Sequence, residues 1–448
     1  MSKPMTVTQD IAHWVHQFKA EDLSDARVHK SRILLLDFLG CALAGSQCIE
    51  AQDGLALMQS GRIKVPGHDQ TMDSTSAIMA WGTFGALLQW HDGYGRGGNH
   101  PSSSILPVLL HQSSDWGRML LPMIIGYEVA NRLAACTHPK QTILGSAPTS
   151  SMGAIGAAAS LSRWQSLNPE ITARALGLAG FWAPIAAFEG LRARGNGVPL
   201  HSGLASRAGW EAVIAAKAGL GASPTLLEGR DGPGLLQLLG ADSELNLSTK
   251  YWCGDTLDQV FLKPFPGCRH VHPAIEAALG LRQTLGNNLS ELKRIEITSY
   301  ELAISFKSQP QTTFELYDCL MSLPWCVALA LNEGIPNLQK IKANRDRSEI
   351  AKIMNLMHFS IDPQHQKAYP RKLGATVRAH AFNGQIWEQD AVLSYSQSSL
   401  AYSPQGPFGP VLDEVGVIRK FLDLASDCWP QDHCEKVADD ILNSKIIY

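Results

Sequence analysis

The sequence predicts a mainly α protein: a large all-helical domain built from both chain ends, with a smaller α+β lid domain between them. Three observations predict it. Helical apolar periodicity and dense Ala/Gly runs fill residues 1–260, strand alternation appears only within 261–397, and helical periodicity returns in 398–448.

Along the chain, Ile11, Trp14, Val15 and Phe18 fall at i, i+3, i+4 and i+7, an amphipathic helix opening after Thr8. Residues 33–36 and 38–44 are apolar nearly all round, the mark of a buried helix. GAIGAAAS, LGLAG and VIAAKAGLGA, between residues 150 and 220, supply small residues that let helices approach closely. Membrane helix pairs also use small residues, but Arg174, Glu189, Arg192 and Arg194 interrupt these runs. After residue 260 the pattern changes. Residues 293–300 (KRIEITSY) and 376–381 alternate, and Asn383-Gly384 before Ile386-Trp387 signals a hairpin. Helices are expected at 273–285 and near 317–332. A polar stretch, SYSQSSLAYSPQGPFGP, leads to helices at 416–425 and 434–442, expected to return to the first domain.

Composition narrows the function. The 448 residues are 45% hydrophobic and 18% charged, enough apolar material for a large core. A net charge of −3 argues against a nucleic-acid partner. Nine cysteines, with no CxxC pair, fit a reducing compartment better than a disulfide framework. The N-terminus MSKPMTVTQDIAHW has no long apolar h-region, and stretches such as residues 175–188 are too short to cross a bilayer. A cytoplasmic or organelle-matrix protein with no membrane partner is expected.

In GRGGNHPSSSILPV (95–108), His100 precedes a proline and is pushed towards an extended conformation, with Ser102, Ser103 and Ser104 placed to cap a helix. On that stretch alone His100 is a loop residue. Metal binding finds little support: His91 and His100 lie nine apart with no carboxylate at ligand spacing, and His270-Val271-His272 offers two donors. No P-loop, dinucleotide fingerprint or nucleophile elbow occurs, which leaves acid/base chemistry by ordinary side chains. FLKPFPGCRHVHPAIEAAL (261–279) gathers Lys263, Cys268, Arg269, His270 and His272 before a helix. FEGLRARGNGVPLHSGLASRAG (188–209) places Arg192, Arg194 and His201 around a Gly-rich bend. Three Gly/Pro-rich loops carrying His with Lys or Arg suggest a pocket for a carboxylate.

RILLLDFLGCALAG (32–45), NHPSSSILPVLL (99–110), MGAIGAAAS (152–160), LHSGLASRAGWEAVIAAKAG (200–219), LLEGRDG (226–232) and LKPFPGCRHVHPAIEAA (262–278) resemble the MmgE/PrpD family. The likeness runs from about residue 10 to IRKFLDLAS (418–426). Methylcitrate dehydratases, cis-aconitate decarboxylases and iminodisuccinate epimerases belong to that family. The resemblance implies a site between helical domain and lid, a homodimer, and catalysis without metal or organic cofactor. Some family dehydratases have been associated with iron–sulfur clusters, but no cysteine grouping here supports one. His100 matches the histidine of the family's HP[SG] loop and Lys263 the lysine of its K-x-[YF]-P loop, both active-site positions there. Asp92 matches the last aspartate of an Asp-aromatic-Asp-Asp run, and Cys268 and His272 match positions flanking the pocket. The resemblance thus makes His100, Lys263 and Asp92 the catalytic candidates. His91, Tyr94, Arg192, His201, Cys268, Arg269, His272 and Trp325 are the substrate-binding ones. The departures are specific. The acidic run reads Gln89-Trp90-His91-Asp92, a family His falls on Ala147, a family Lys on Val198, and a late tyrosine on Trp325.

Three functions follow. The first is a cofactor-independent lyase that removes a proton α to a carboxylate with loss of water or CO₂ from the neighbouring carbon. The second is an epimerase or isomerase that returns the proton. The third is a non-catalytic relative that binds a metabolite. Loss of the family's carboxylates, one His and one Lys points to a less anionic or bulkier acid than citrate or aconitate, or to a changed reaction.

Overall fold

A computed structural model describes residues 5–65, 67–68, 70–242, 247–286, 288–309, 315–394 and 412–447. The polar stretch after residue 394, with the expected boundary at 397, lies outside the described residues.

The first helix, Val7–Gln17, is capped by Thr6, whose hydroxyl accepts from Gln9 N while Gln9 returns a bond to Thr6 N. The cap therefore precedes the expected Thr8, whose side chain is buried. The two apolar runs at 33–44 form one helix, Asp25–Ser46, and every residue from Ile33 to Ser46 is buried. The reason is contact on both sides, with helix Ser74–Leu87 and with the late helix Glu414–Ala425. The small-residue runs do bring helices close. Pro148–Trp164 packs on Trp116–Thr137, and a Cβ at either Gly126 or Gly156 would lie 2.8 Å from the other's carbonyl oxygen.

The lid is a four-stranded sheet in the order Ile386–Ser394, Lys372–Ala381, Leu292–Ser299, Met357–Ile361. The expected hairpin pairs Ile386 with His380, and Gly384 supplies the positive φ of its turn. The strand Met357–Ile361, unforeseen from sequence, runs parallel at the edge. Helix His272–Leu285 covers the hairpin strands. The single helix expected near 317–332 is two, Leu316–Met321 and Leu323–Glu333, which share Ser322 as end and cap. Pro324 has no N–H to give Leu320, and the Leu320 carbonyl accepts from Cys268 N instead. The helix break thus anchors the 261–272 loop.

Among the described residues, no helix is long and apolar enough to cross a membrane, and no group of His, Cys, Asp or Glu has metal-holding geometry.

The late helix Glu414–Ala425, which precedes the last helix Gln431–Leu442, is tied in electrostatically. Lys420 Nζ donates to Asp37 at 2.7 Å, to the Trp90 carbonyl at 2.8 Å and to the Lys263 carbonyl at 3.4 Å, all buried. Asp37 sits in the wall of helix Asp25–Ser46, where burial raises its pKa against the pull of Lys420. Replacing Lys420 by Ala strands that carboxylate and is expected to cost ~3–5 kcal/mol, whereas the double variant Lys420→Met/Asp37→Leu recovers most of it. Denaturant titration of both variants measures this.

Candidate active site

Two short ribbons build the site. Gly93–Tyr94 pairs antiparallel with Val260–Phe261, and Ser146–Ala147 pairs with Ala186–Ala187. They draw the 89–101, 138–149, 188–202 and 261–270 segments around a cavity of about 60 Å³. Five histidines line it: His91, His100, His138, His201 and His270. Arg269, Tyr94 and Cys268 join them, and no Asp or Glu does among the described residues. Ligand pockets commonly enclose about 300–1,000 Å³, so this one is small for an organic acid.

His100 is held at one nitrogen. Its Nδ1 lies 2.5 Å from the Asp92 carbonyl oxygen. A carbonyl can only accept, so Nδ1 carries the proton and Nε2 keeps its lone pair. The backbone N–H of His100 donates to Thr149 Oγ1, and the ring packs 4.9 Å from His91. Glycines make this packing possible. A Cβ on Gly93 would come within 2.5 Å of the Phe261 ring, and Gly98, at φ 61, would press one into His138. His201, in the first turn of helix Leu200–Lys217, is held as His100 is, with Nδ1 on the Val198 carbonyl. Burial lowers the pKa of His91, His100, His201 and His270, so the resting imidazoles are neutral.

Several expected site residues sit elsewhere. The Asp92 carboxylate does not line the cavity. Its Oδ1 accepts from Ser102 N and Ser102 Oγ, and Oδ2 from Tyr127 at 2.8 Å. Its grip on Ser102 caps helix Ser102–Leu110, so the expected serine cap is reversed: Ser102 donates and Asp92 accepts. Asp92 is a positioning residue whose pKa burial pushes up to about 6. Lys263 is fully buried beneath the cavity rather than in its lining. Its Nζ donates to the Gln89 carbonyl at 2.8 Å and the Gly267 carbonyl at 3.2 Å. Gln89 holds an uncommon positive φ of 50° beside this bond. His272 is likewise below the cavity, its Nε2 on the Gly267 carbonyl and its ring 4.4 Å from Phe265. Arg192 is outside, ion-paired with Glu189 and packed over Phe188. Trp325 is buried in the lid helix and does not reach the lining.

Tyr94, His91, His201, Cys268 and Arg269 do line the cavity, as does Ala147, where the family has a histidine. Burial drives the Cys268 thiol up to about 11, which makes it a neutral wall. Arg269 lies flat over Phe261, 4.2 Å from the ring centre. Sequence reasoning passed over His138 as a site residue and left His270 without a role. One signal was there: three His-Pro steps, at 100–101, 138–139 and 272–273, each closing a loop at or beside this site.

The MmgE/PrpD N-terminal domain profile matches residues 9–248 and the C-terminal domain profile residues 265–444. A cis-aconitate decarboxylase of Mus musculus is 27% identical over 314 residues, covering 62% of this chain and 59% of its own. That of Homo sapiens is 27% identical over 301 residues, covering 62% and 60%. One from Aspergillus terreus is 23% identical over 187 residues, 39% of this chain and 38% of its own. The match thus spans about six-tenths of the length of the mammalian relatives.

The Lys263 ammonium has no carboxylate partner among the described residues, and burial lowers its pKa from 10.5 to about 7. Below pH 7 both folded and unfolded chains carry this proton. Between pH 7 and 10.5 only the unfolded chain does, so the group contributes stability that rises with pH across that window. Lys263→Met is expected to remove that rise. Denaturation midpoints of both proteins at pH 7 and 9 test it, and equal slopes would mean that Lys263 titrates normally.

Proposed function

We propose that this chain, which belongs to the MmgE/PrpD family, is a lyase that works on a carboxylic acid by proton transfer at the carbon next to a carboxylate. One observation carries this reading: His100, held at Nδ1 by the Asp92 carbonyl, lines a cavity walled by imidazoles and Arg269 but by no described acid. An anion is the ligand such walls favour.

Arg269 takes the substrate carboxylate and offsets the charge that grows on it as the carbon is deprotonated. His100 Nε2 removes the α-proton. In dehydration the electron pair forms the double bond, the neighbouring C–O bond breaks, and the departing oxygen takes the proton that His100 Nε2 has just removed, because neutral His201 holds its own ring proton on Nδ1 against the Val198 carbonyl. In decarboxylation the C–C bond to CO₂ breaks first, and a protonated imidazole supplies the proton that replaces it. Histidines neutral at rest favour the order that begins with abstraction. The relatives named as cis-aconitate decarboxylases keep CO₂ loss within the proposal.

His201 supports a second reading. It is fixed by the same Nδ1-to-carbonyl bond as His100 and lines the same cavity. Two bases so placed suit removal of a proton on one side and its return on the other, which is epimerisation.

Mass spectrometry of branched hydroxy- and unsaturated acids incubated in D₂O separates these outcomes. A lyase shows loss of water or CO₂, and an epimerase shows only deuterium uptake. His100→Ala is expected to lower the rate roughly 10²–10⁴-fold. The acid limb of kcat/KM is expected well below pH 6.5, because burial holds His100 neutral. Unchanged turnover in the variant contradicts the assignment.

A homodimer is also proposed. Ile143, Leu144, Phe181, Trp182 and Ile185 are exposed on the segments that flank the 146–147/186–187 ribbon, and apolar side chains gathered this way suit a second copy. Light scattering is expected to give twice the chain mass, and Phe181→Glu with Trp182→Glu to give monomers. A wild-type monomer at micromolar concentration overturns this.

A further inference from the structure

One wall of the cavity, His138, backs onto Tyr369, which lies outside the lining. His138 closes helix Trp116–Thr137 and lines the cavity, while Tyr369 comes from the lid, just before strand Lys372–Ala381. Their rings meet edge to face at 6.5 Å, and both stand beside His270, with Tyr369 6.4 Å from that ring. His138 Nε2 and the Tyr369 hydroxyl are each sealed from solvent with no hydrogen-bond partner among the described residues. Leaving one such group unpaired in the interior costs about 1–3 kcal/mol, and here two converge from different domains.

The surroundings decide what would pair with them. Tyr369 stacks on Tyr300 at 4.8 Å, Tyr300 bonds His270, and His270 lies against Phe306 and Phe188. This region is aromatic and carries no described carboxylate in contact with it. Burial holds His138 neutral, with its pKa down to about 4, and keeps the Tyr369 phenol protonated. A carboxylate set between those two atoms would face a neutral imidazole and a neutral phenol and lose its hydration, with the Arg269 charge reaching His270 beside them. A hydroxyl can accept from the phenol and donate to an imidazole nitrogen, satisfying both orphans at once.

We infer that His138 Nε2 and the Tyr369 hydroxyl form an uncharged seat for a hydroxyl group at the far end of the substrate, so that the enzyme takes a hydroxylated monocarboxylic acid in preference to a polycarboxylate. This rests on the reading of the cavity as a carboxylic-acid site, with Arg269 holding the acid end. Tyr369 and His138 select and position the substrate and take no part in the proton transfer.

The test is equilibrium binding by calorimetry, which is independent of turnover. The probes are butyrate, valerate and hexanoate with their terminally hydroxylated and terminally carboxylated counterparts. Wild-type protein is expected to prefer at least one hydroxylated acid over its parent by roughly tenfold and over the matching diacid by more. Tyr369→Phe keeps the ring on Tyr300 and is expected to erase that preference while leaving the parent acid's affinity unchanged and raising the melting temperature of the ligand-free protein, because an unpaired hydroxyl is removed. Tightest binding of a diacid, or a hydroxyl preference that survives in Tyr369→Phe, overturns the seat. A hydroxyl preference without turnover of any acid sinks the lyase reading and leaves the seat standing. Failure of every acid to bind removes both.

Discussion

A buried lysine with no counter-ion among the described residues sets the geometry on which the rest depends. Lys263 spans two loops that are 174 residues apart in sequence, holding the Gln89 carbonyl with the same Nζ that holds Gly267. Its own carbonyl accepts from Trp90 Nε1 and from Lys420, which is paired with Asp37. Helix Asp25–Ser46, the histidine loop, the lid loop and helix Glu414–Ala425 are therefore bonded through one point. An ammonium so placed gives up hydration for carbonyl dipoles, and it sits below the cavity floor where its charge disfavours protonation of His91, His100, His270 and His272.

That arrangement explains why imidazoles line a site that lacks the family's carboxylates. Within a low-dielectric cavity above a lysine, a histidine stays neutral unless an anion arrives. Each ring is then defined by the bond at its other nitrogen. His100 and His201 are held by backbone carbonyls, which fix the tautomer without adding charge. Asp92 does its part from behind, gripping Ser102 and Tyr127 so that its carbonyl meets His100. At the lid side, the Tyr300–Tyr369 stack packs beside His270, and Arg269, next to His270 in the chain, brings the cavity its positive charge.

Much of the fold was legible because burial on one face leaves a period. The helix carrying Ile11 to Phe18, the hairpin across Asn383-Gly384 and the strand KRIEITSY each stand where their repeats indicate. The break at Ser322 was not legible, because apolar residues continue on both sides and only Pro324's missing donor separates the helices. Edge strand Met357–Ile361 alternates Met, Phe and Ile, but it is short and only its first residue is buried. At the site, motif resemblance located His100, yet sequence could not show that Lys263 and His272 spend their donors on carbonyls. Nor could it show that Asp92 faces a helix end. His138 was hidden because its neighbours in space come from the lid, far along the chain.

The central claim is that His100 addresses the substrate while Lys263 holds the floor. A crystal structure with a bound carboxylic acid tests it most directly. The claim predicts the carboxylate on Arg269, the α-carbon roughly 3–3.5 Å from His100 Nε2, and Lys263 still bonded to the Gln89 and Gly267 carbonyls. An acid bound directly to Lys263, with those two bonds broken and His100 facing away, would contradict it.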